Sequence, residues 1–284
     1  MVFVRQRRRK RRRKGNKRMT NEEFYRVLDD LYEKGNQDEV RRFLEEQLKI
    51  LDASGGTDEE NRLAVAVCNE AGSYYRGRNE WNACLPLYDK LLMKLREMGL
   101  AESEPYAIAL MNRATAYRFM GKLDAAEADF SASEKLLVQS GNGNFYALAG
   151  LYNNHAAVAA ELGEYEKAIR MFQTALSSLA GHPGTEAEQA LSLSGIAQMY
   201  MQLGDVKKAF EYADEALKLM PDPASHPHGG AVLAAKAHCC YCLGDHKTAA
   251  ELFLRSAEIT KRYFGENHEY RSCMENYRKA ESRA

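Results

Sequence analysis

The sequence predicts an all-α superhelix (solenoid) of about six helical hairpins with a C-terminal capping helix. The first observation is a repeat: alanines recur at positions 71, 114, 156, 197 and 237, at intervals of 43, 42, 41 and 40 residues. The second is that apolar residues recur between these alanines at the spacing of amphipathic helices. The third is that no stretch of any length alternates as a β-strand does. A near-constant period of this length is typical of stacked helical repeats.

Each repeat unit has the composition of two antiparallel helices. We call the five alanines of this series the repeat alanines. They place a small side chain where the first helix must approach its neighbour closely. A glycine follows seven residues later, where the chain leaves the first helix and a left-handed conformation is favoured: Gly121, Gly163, Gly204 and Gly244. In the unit of Ala71, Arg78 takes this position and Gly77 comes one residue early. The second helix then carries a core stripe, for example at Ala168, Phe172 and Ala175.

The two ends of the array differ from its middle. A weaker unit precedes the series, with apolar residues at Phe24, Leu28 and Leu31 and then Gly35. A last helix, from about residue 268 to 283, has no partner, and we expect it to cap the open end of the stack. These units predict a repeat domain over residues 19–284.

Three local motifs carry a resemblance to a known family. The segment Pro86–Tyr88 resembles a Pro-Leu-Tyr segment of a second helix, and Asn153–Asn154 matches paired asparagines of a first helix. The segment Phe264–His268 is similar to a Leu-Gly-x-x-His linker. With the period, these motifs resemble the tetratricopeptide repeat, in the roughly 42-residue variant of kinesin light chains and many bacterial proteins. The resemblance favours a bacterial source and covers about residues 22–283.

The resemblance implies a curved groove lined by the first helices. The residue two before each repeat alanine is expected to face into it, which places Asn69, Asn112 and Asn154 there. An asparagine amide offers a donor and an acceptor, so such a row can hold the backbone of an extended peptide. The alternative is that these amides are solvated or bond to the adjacent repeat. The row stops at Gly195, which would confine a ligand to the first half.

Further groove candidates lie three and six residues after the asparagine position. Apolar members would form pockets for ligand side chains, and Arg118 would meet a ligand carboxylate. The predicted peptide-binding groove comprises Asn69, Asn112, Thr115, Arg118, Asn154, Gln198, Met201, His238 and Tyr241.

The charge of the chain is divided unevenly. The formal net charge is zero, but residues 1–18 hold eleven basic and no acidic side chains, which leaves 29 basic and 40 acidic ones in residues 19–284. We expect residues 1–18 to form a disordered arm, because like charges repel and build no core. Three hypotheses stay open: a polyanion-binding arm, an arm docked on the protein's own acidic body, or a start-site artefact with the natural start at Met19. The candidate polyanion-binding residues are Arg7, Arg8, Arg9, Lys10, Arg11, Arg12, Arg13 and Lys14.

Other chemistries are disfavoured. His238 and Cys242 share a helix face, but a structural zinc site needs four ligands and the sequence has no Cys-x-x-Cys pair. No phosphate-binding loop and no catalytic motif is present. We therefore predict no metal, no cofactor and no enzymatic activity. The chain has no apolar run long enough to cross a membrane and no secretory signal, so we expect a cytoplasmic protein with reduced thiols.

The sequence thus predicts a non-catalytic scaffold or adaptor that binds a protein or an extended peptide in its concave groove. One alternative is nucleic-acid or polyanion binding through residues 5–18, with an affinity that falls steeply with salt. Another is a peptide-sensing regulator. Bacterial sensors with this repeat often carry a DNA-binding helix-turn-helix, and nothing before Asn61 is clearly of that type.

Overall fold

A computed structural model describes residues 19–52, 57–140 and 144–284. These residues form α-helices and one short 3-10 turn, without a β-strand among them. The helices are α1 (Asn21–Glu33), α2 (Gln37–Asp52), α3 (Asp58–Gly77), α4 (Trp81–Glu97), α5 (Glu104–Phe119), α6 (Leu123–Ser140), α7 (Phe145–Glu161), α8 (Tyr165–Leu179), α9 (Glu186–Gln202), α10 (Val206–Leu219), α11 (Gly229–Cys242), α12 (His246–Phe264) and α13 (His268–Glu281).

Consecutive helices pair into six antiparallel hairpins, hairpin 1 (α1–α2) to hairpin 6 (α11–α12). Within hairpins 2 to 6 the two helices pack along much of their length, and α13 packs on α12 at the open end of the stack. Side-chain caps fix several helix starts: Thr20, Thr57 and Ser103 each accept a hydrogen bond from a backbone N–H of the first turn. The predicted all-α solenoid of about six hairpins with a capping helix is confirmed.

The turn inside each hairpin needs one left-handed residue. In hairpins 3 to 6 it is the predicted glycine, with φ between 70° and 86°. Hairpin 2 differs, because Arg78 keeps a negative φ and Asn79 takes the left-handed conformation at φ 62°. Arg78 occupies the glycine position of the repeat, but the left-handed residue is Asn79, one residue later. Asparagine tolerates this conformation better than most residues do.

The curvature of the stack follows from which helices meet. Consecutive first helices, from α3 to α11, contact one another, whereas no comparable contact joins consecutive second helices within the described residues. The first helices therefore form the tighter inner layer, and the second helices form the outer layer. Large side chains of the second helices fill the space between the layers, among them the fully buried Tyr88, Phe130 and Phe253.

The predictions for the N-terminal arm are not tested by this structure. Residues 1–18, with the candidate polyanion-binding residues from Arg7 to Lys14, lie outside the described residues. Among the helices that are described, none has the length and apolar character that a membrane span requires.

Candidate functional site

The concave face is best exposed on the first helices of hairpins 5 and 6. Gln198 on α9 and His238 on α11 each follow a repeat alanine directly, and both side chains are exposed. Met201 and Tyr241 lie one turn further along the same helices and are half-buried. Since residues three apart on a helix share a face, each helix presents one polar and one larger side chain to the groove.

On α3 and α5 the predicted asparagines bond to each other. The Nδ2 of Asn112 donates to the Oδ1 of Asn69 over 3.4 Å, and the Nδ2 of Asn69 lies 3.2 Å from an oxygen of Glu70. Asn112 is only 9% exposed, whereas Asn69 is half-buried. The structure thus brings these two residues together across the boundary between hairpins 2 and 3, and Asn112 offers little surface to a ligand.

The third asparagine of the row is engaged within its own helix. The Nδ2 of Asn154 on α7 donates to the carbonyl of Gly150 over 2.9 Å. Its neighbour Asn153 accepts a hydrogen bond of 2.8 Å from the hydroxyl of Ser192 on α9. The side chain of Asn154 is half-buried, and its Oδ1, unlike its Nδ2, has no hydrogen-bond partner among the described residues.

A close contact explains why the row ends at Gly195. A Cβ at this position would lie 2.4 Å from two ring atoms of Phe172 on the preceding second helix α8. Gly195 is fully helical, so the glycine serves the close approach of the ring and not a special backbone conformation. Any larger residue there, including asparagine, would collide with Phe172.

Two predicted groove residues are committed to the protein itself. Thr115 is 2% exposed, and its hydroxyl donates to the carbonyl of Met111 one turn earlier on α5. It does not line the open groove in this conformation. The guanidinium of Arg118 forms an ion pair with Glu161 of α7, so it already holds a carboxylate of the chain. A contact of Arg118 with a ligand carboxylate stays a prediction.

The exposed His238 is in an environment that keeps it neutral. Its ring packs edge-on against Phe253 with the centroids 4.8 Å apart. Although the side chain is open to solvent, burial of its flanks lowers the pKa of His238 below its ordinary value. At neutral pH the imidazole therefore carries one donor and one acceptor, as the Gln198 amide does.

Sequence reasoning missed a row of polar contacts that joins neighbouring hairpins. In three units the residue directly before a repeat alanine is Arg, His or Lys, and each contacts an acidic residue of the preceding second helix. Arg113–Asp89 and Lys236–Asp214 are ion pairs, and the Nε2 of His155 lies 2.7 Å from the Oε2 of Glu127. The recurrence of a basic residue at one fixed repeat position is the signal that would have found them. This row lies between hairpins and away from the concave face.

No group of three His, Cys, Asp or Glu side chains in the described part of the chain is arranged to hold a metal ion, and Cys239 and Cys240 are buried. A cleft of about 350 Å³ lies at the turn of hairpin 2 and is lined by Asn79, Glu80, Trp81, Asn82, Ala83 and Met120. None of these residues belongs to the predicted groove set.

Comparisons with known proteins agree with this architecture. A model of the tetratricopeptide repeat family matches residues 147–222. No curated protein matches the sequence. Among solved structures, NprR in complex with its cognate peptide NprX is similar over 92% of this chain and 73% of that one, with 17% identity and a TM-score of 0.69.

Two further solved structures share the fold. The Rap conjugation gene regulator of plasmid pLS20, in complex with the Phr* peptide, is 13% identical over 92% of this chain and 80% of its own, with a TM-score of 0.67. A putative kinesin light chain of Podospora anserina with TPR-like repeats is 16% identical over 73% of this chain and 98% of its own, with a TM-score of 0.53. The predicted resemblance to the tetratricopeptide repeat is therefore confirmed: residues 147–222 match the family model, and the described residues share the fold of solved proteins that include TPR-like kinesin light chain repeats.

Proposed function

We propose that this protein binds an extended peptide, or an extended segment of a partner protein, on the concave face of its superhelix. The observation that carries the proposal is the pair of exposed neutral polar side chains at the same repeat position of adjacent first helices, Gln198 and His238. Both offer a donor and an acceptor, which are the groups that a peptide backbone requires. The NprR and Rap structures, which share the fold, were solved with peptides bound.

The same surface supplies apolar contacts for ligand side chains. Met201 and Tyr241 are half-buried beside the two polar residues, and methionine adapts to irregular side chains. The small residues Ala157 and Ala160 on α7 leave room for a chain to approach the helix backbone. In this scheme Asn69 and Asn154 contribute their remaining oxygen lone pairs, and Asn112 supports Asn69.

The proposed role is non-catalytic. The groove groups are amides, a neutral imidazole, a thioether and a phenol, and none of them is paired with a second group as a nucleophile is paired with its base. Binding would hold the ligand against a rigid surface, as an adaptor or a peptide-sensing regulator requires.

The test is a binding measurement with a defined probe. A fluorescent linear peptide selected from a random library on the full chain is titrated against wild type and against Gln198→Ala plus His238→Ala. We expect the dissociation constant of the double variant to rise about tenfold or more, because two backbone-binding groups are lost. Helix content and the midpoint of thermal unfolding should remain unchanged.

Two controls locate the binding surface. Lys208→Ala changes an exposed residue at the start of the outer helix α10 and should leave the affinity unchanged. Asn112→Ala plus Asn154→Ala should weaken binding less than the Gln198 and His238 pair does, because Asn112 is almost fully buried. Equal affinity of every variant and wild type would refute a concave binding site.

Polyanion binding through residues 5–18 stays a prediction. Its measurement is the affinity for RNA or DNA at low and high salt, with and without residues 1–18.

A further inference from the structure

The C-terminal end of the superhelix touches hairpin 2. The Nδ2 of Asn267, in the connection between α12 and α13, donates to the carbonyl oxygen of Gly77 at the end of α3 over 3.2 Å. The ring of Phe264 covers the same glycine, since a Cβ at Gly77 would lie 3.2 Å from the Cδ1 of that ring. These partners are 190 residues apart along the chain.

The contact joins opposite rims of the solenoid. One rim consists of the turns inside the hairpins, and Gly77 leads into such a turn, that of hairpin 2. The other rim consists of the connections from one hairpin to the next, and residues 265–267 form the last of these, between hairpin 6 and the capping helix. Opposite rims of separate hairpins meet only when the stack has completed a full turn of the superhelix. The chain between them therefore encircles the concave face.

A charged pair extends the contact to hairpin 3. Glu269, in the first turn of α13, acts electrostatically on Arg118 at the end of α5. The Oε2 of Glu269 and the Nε of Arg118 are both buried without a hydrogen-bond partner. Burying these two atoms without hydrogen-bond partners costs free energy, and this cost opposes the attraction between the two charges.

We propose that the contact of Asn267 and Phe264 with Gly77 closes the groove into a channel, which admits a peptide with a free end and excludes an internal segment of a folded protein. That the ligand is a peptide rests on the proposed function. That the peptide needs a free end rests on the rim contact. A folded domain on both sides of a bound segment has no path into a ring, whereas a free end threads through either mouth. Opening of the rim contact removes the restriction.

Spin labels test the closure without any ligand. Labels are attached at Asn82→Cys and Glu266→Cys, two exposed positions beside the contact, in a Cys242→Ser background that removes the exposed native thiol. The opening variant carries Gly77→Leu, which displaces Phe264, and Asn267→Asp. The aspartate keeps the acceptor for the N–H of Tyr270 and loses the donor to Gly77. Asn36→Asp makes the same change at an exposed helix start far along the chain.

The expected label distances are short and narrowly distributed in wild type and in Asn36→Asp, and longer and broader in the opening variant. A broad, long distribution in wild type overturns the closure. So does an opening variant that is folded, as judged by helix content, and that keeps the wild-type distribution.

The ligand restriction is tested with one selected peptide in three forms: linear, cyclised head to tail, and inserted between two folded domains. Wild type should bind the linear form at least about tenfold more tightly than the other two, and the opening variant should reduce this ratio towards one. Equal affinity of wild type for all three forms overturns the restriction while peptide binding stands. Binding of no form by either protein refutes the proposed function together with the restriction, and the label distances still decide whether the ring is closed.

Discussion

On α3 and α5 the polar side chains of the inner face bond to one another, whereas on α9 and α11 they are open to solvent. Asn112 donates to Asn69 and is almost fully buried. Gln198 and His238 follow their repeat alanines directly and are exposed, although they lie on the same layer of helices. The first half of the groove therefore uses its amides to join hairpins, and the second half leaves its polar groups available.

This difference changes where a ligand is expected. The asparagine row alone predicted a ligand confined to the first half, before Gly195. The exposed residues extend the proposed binding surface to hairpins 5 and 6. An amide at a given repeat position is thus not by itself a ligand contact, because a neighbouring repeat competes for the same hydrogen bonds.

The largest effect is expected from the ion pairs that hold each half together. Arg113 holds Asp129 through two hydrogen bonds of 2.7 and 2.9 Å, and the Asp129 side chain is 12% exposed. Arg113→Met should lower the free energy of unfolding by about 3 kcal/mol, because it leaves that carboxylate buried and unpaired. Lys236→Met should cost about 1 kcal/mol or less, since its partner Asp214 is 43% exposed and stays hydrated. Urea denaturation measures both, and equal losses would contradict this difference between the halves.

A pH dependence should come from the second half. Burial, with a smaller effect of His226, lowers the pKa of His228 from 6.5 to about 4. Between these values the unfolded chain binds a proton that the folded chain does not, so stability falls as the pH drops from about 6.5 towards 4. Over that window wild type should lose about 3 kcal/mol more than His228→Gln does. Unfolding curves at a series of pH values measure this, and parallel losses in the two proteins would contradict it.

The end of the asparagine row can be tested by restoring it. Gly195→Asn should lower the free energy of unfolding by about 1–3 kcal/mol, because its Cβ meets the ring of Phe172. Gly150→Ala on α7 is the matched control: its Cβ would have ordinary contacts of 3.8 Å with Met111, so the substitution should stabilise the helix by about 0.5–1 kcal/mol. A tolerated Gly195→Asn would show that the ring moves aside freely and that the row ends for another reason.

The smallest effect concerns the bond between the two asparagines. A double-mutant cycle of Asn69→Ala and Asn112→Ala should give a coupling energy of about 0.5 kcal/mol, as expected for a neutral hydrogen bond of 3.4 Å. Thermal or urea unfolding of the four proteins supplies the cycle. A coupling of zero would show that the bond between these two amides contributes nothing to the stability of the stack.

The sequence predicted the hairpins well because their signals are local. The repeat alanines, the turn glycines and the core stripes each act within one unit, and their spacing gives the hairpin count and the capping helix. The shift of the left-handed residue to Asn79 was missed because hairpin 2 extends its first helix by one residue before the turn. A glycine expected seven residues after the repeat alanine does not indicate such an extension.

The state of the groove residues depended on distances between units, which a single repeat does not encode. The partner of Asn112 is decided by how closely α3 and α5 approach, and the burial of Thr115 by the same packing. The contact between Gly77 and Asn267 depends on small rotations accumulated over four further hairpins. Sequence periodicity gives the number of these rotations and not their size.

The contact between hairpin 2 and the C-terminal end also bears on how the array loses structure. In an open stack each hairpin is stabilised only by its neighbours, and unfolding begins by fraying at either terminus. Once hairpin 2 is tied to the capping helix, fraying of the last helices also removes a neighbour from the early part of the chain. Hydrogen exchange of α3 and α13 should then be correlated, which linear arrays do not require.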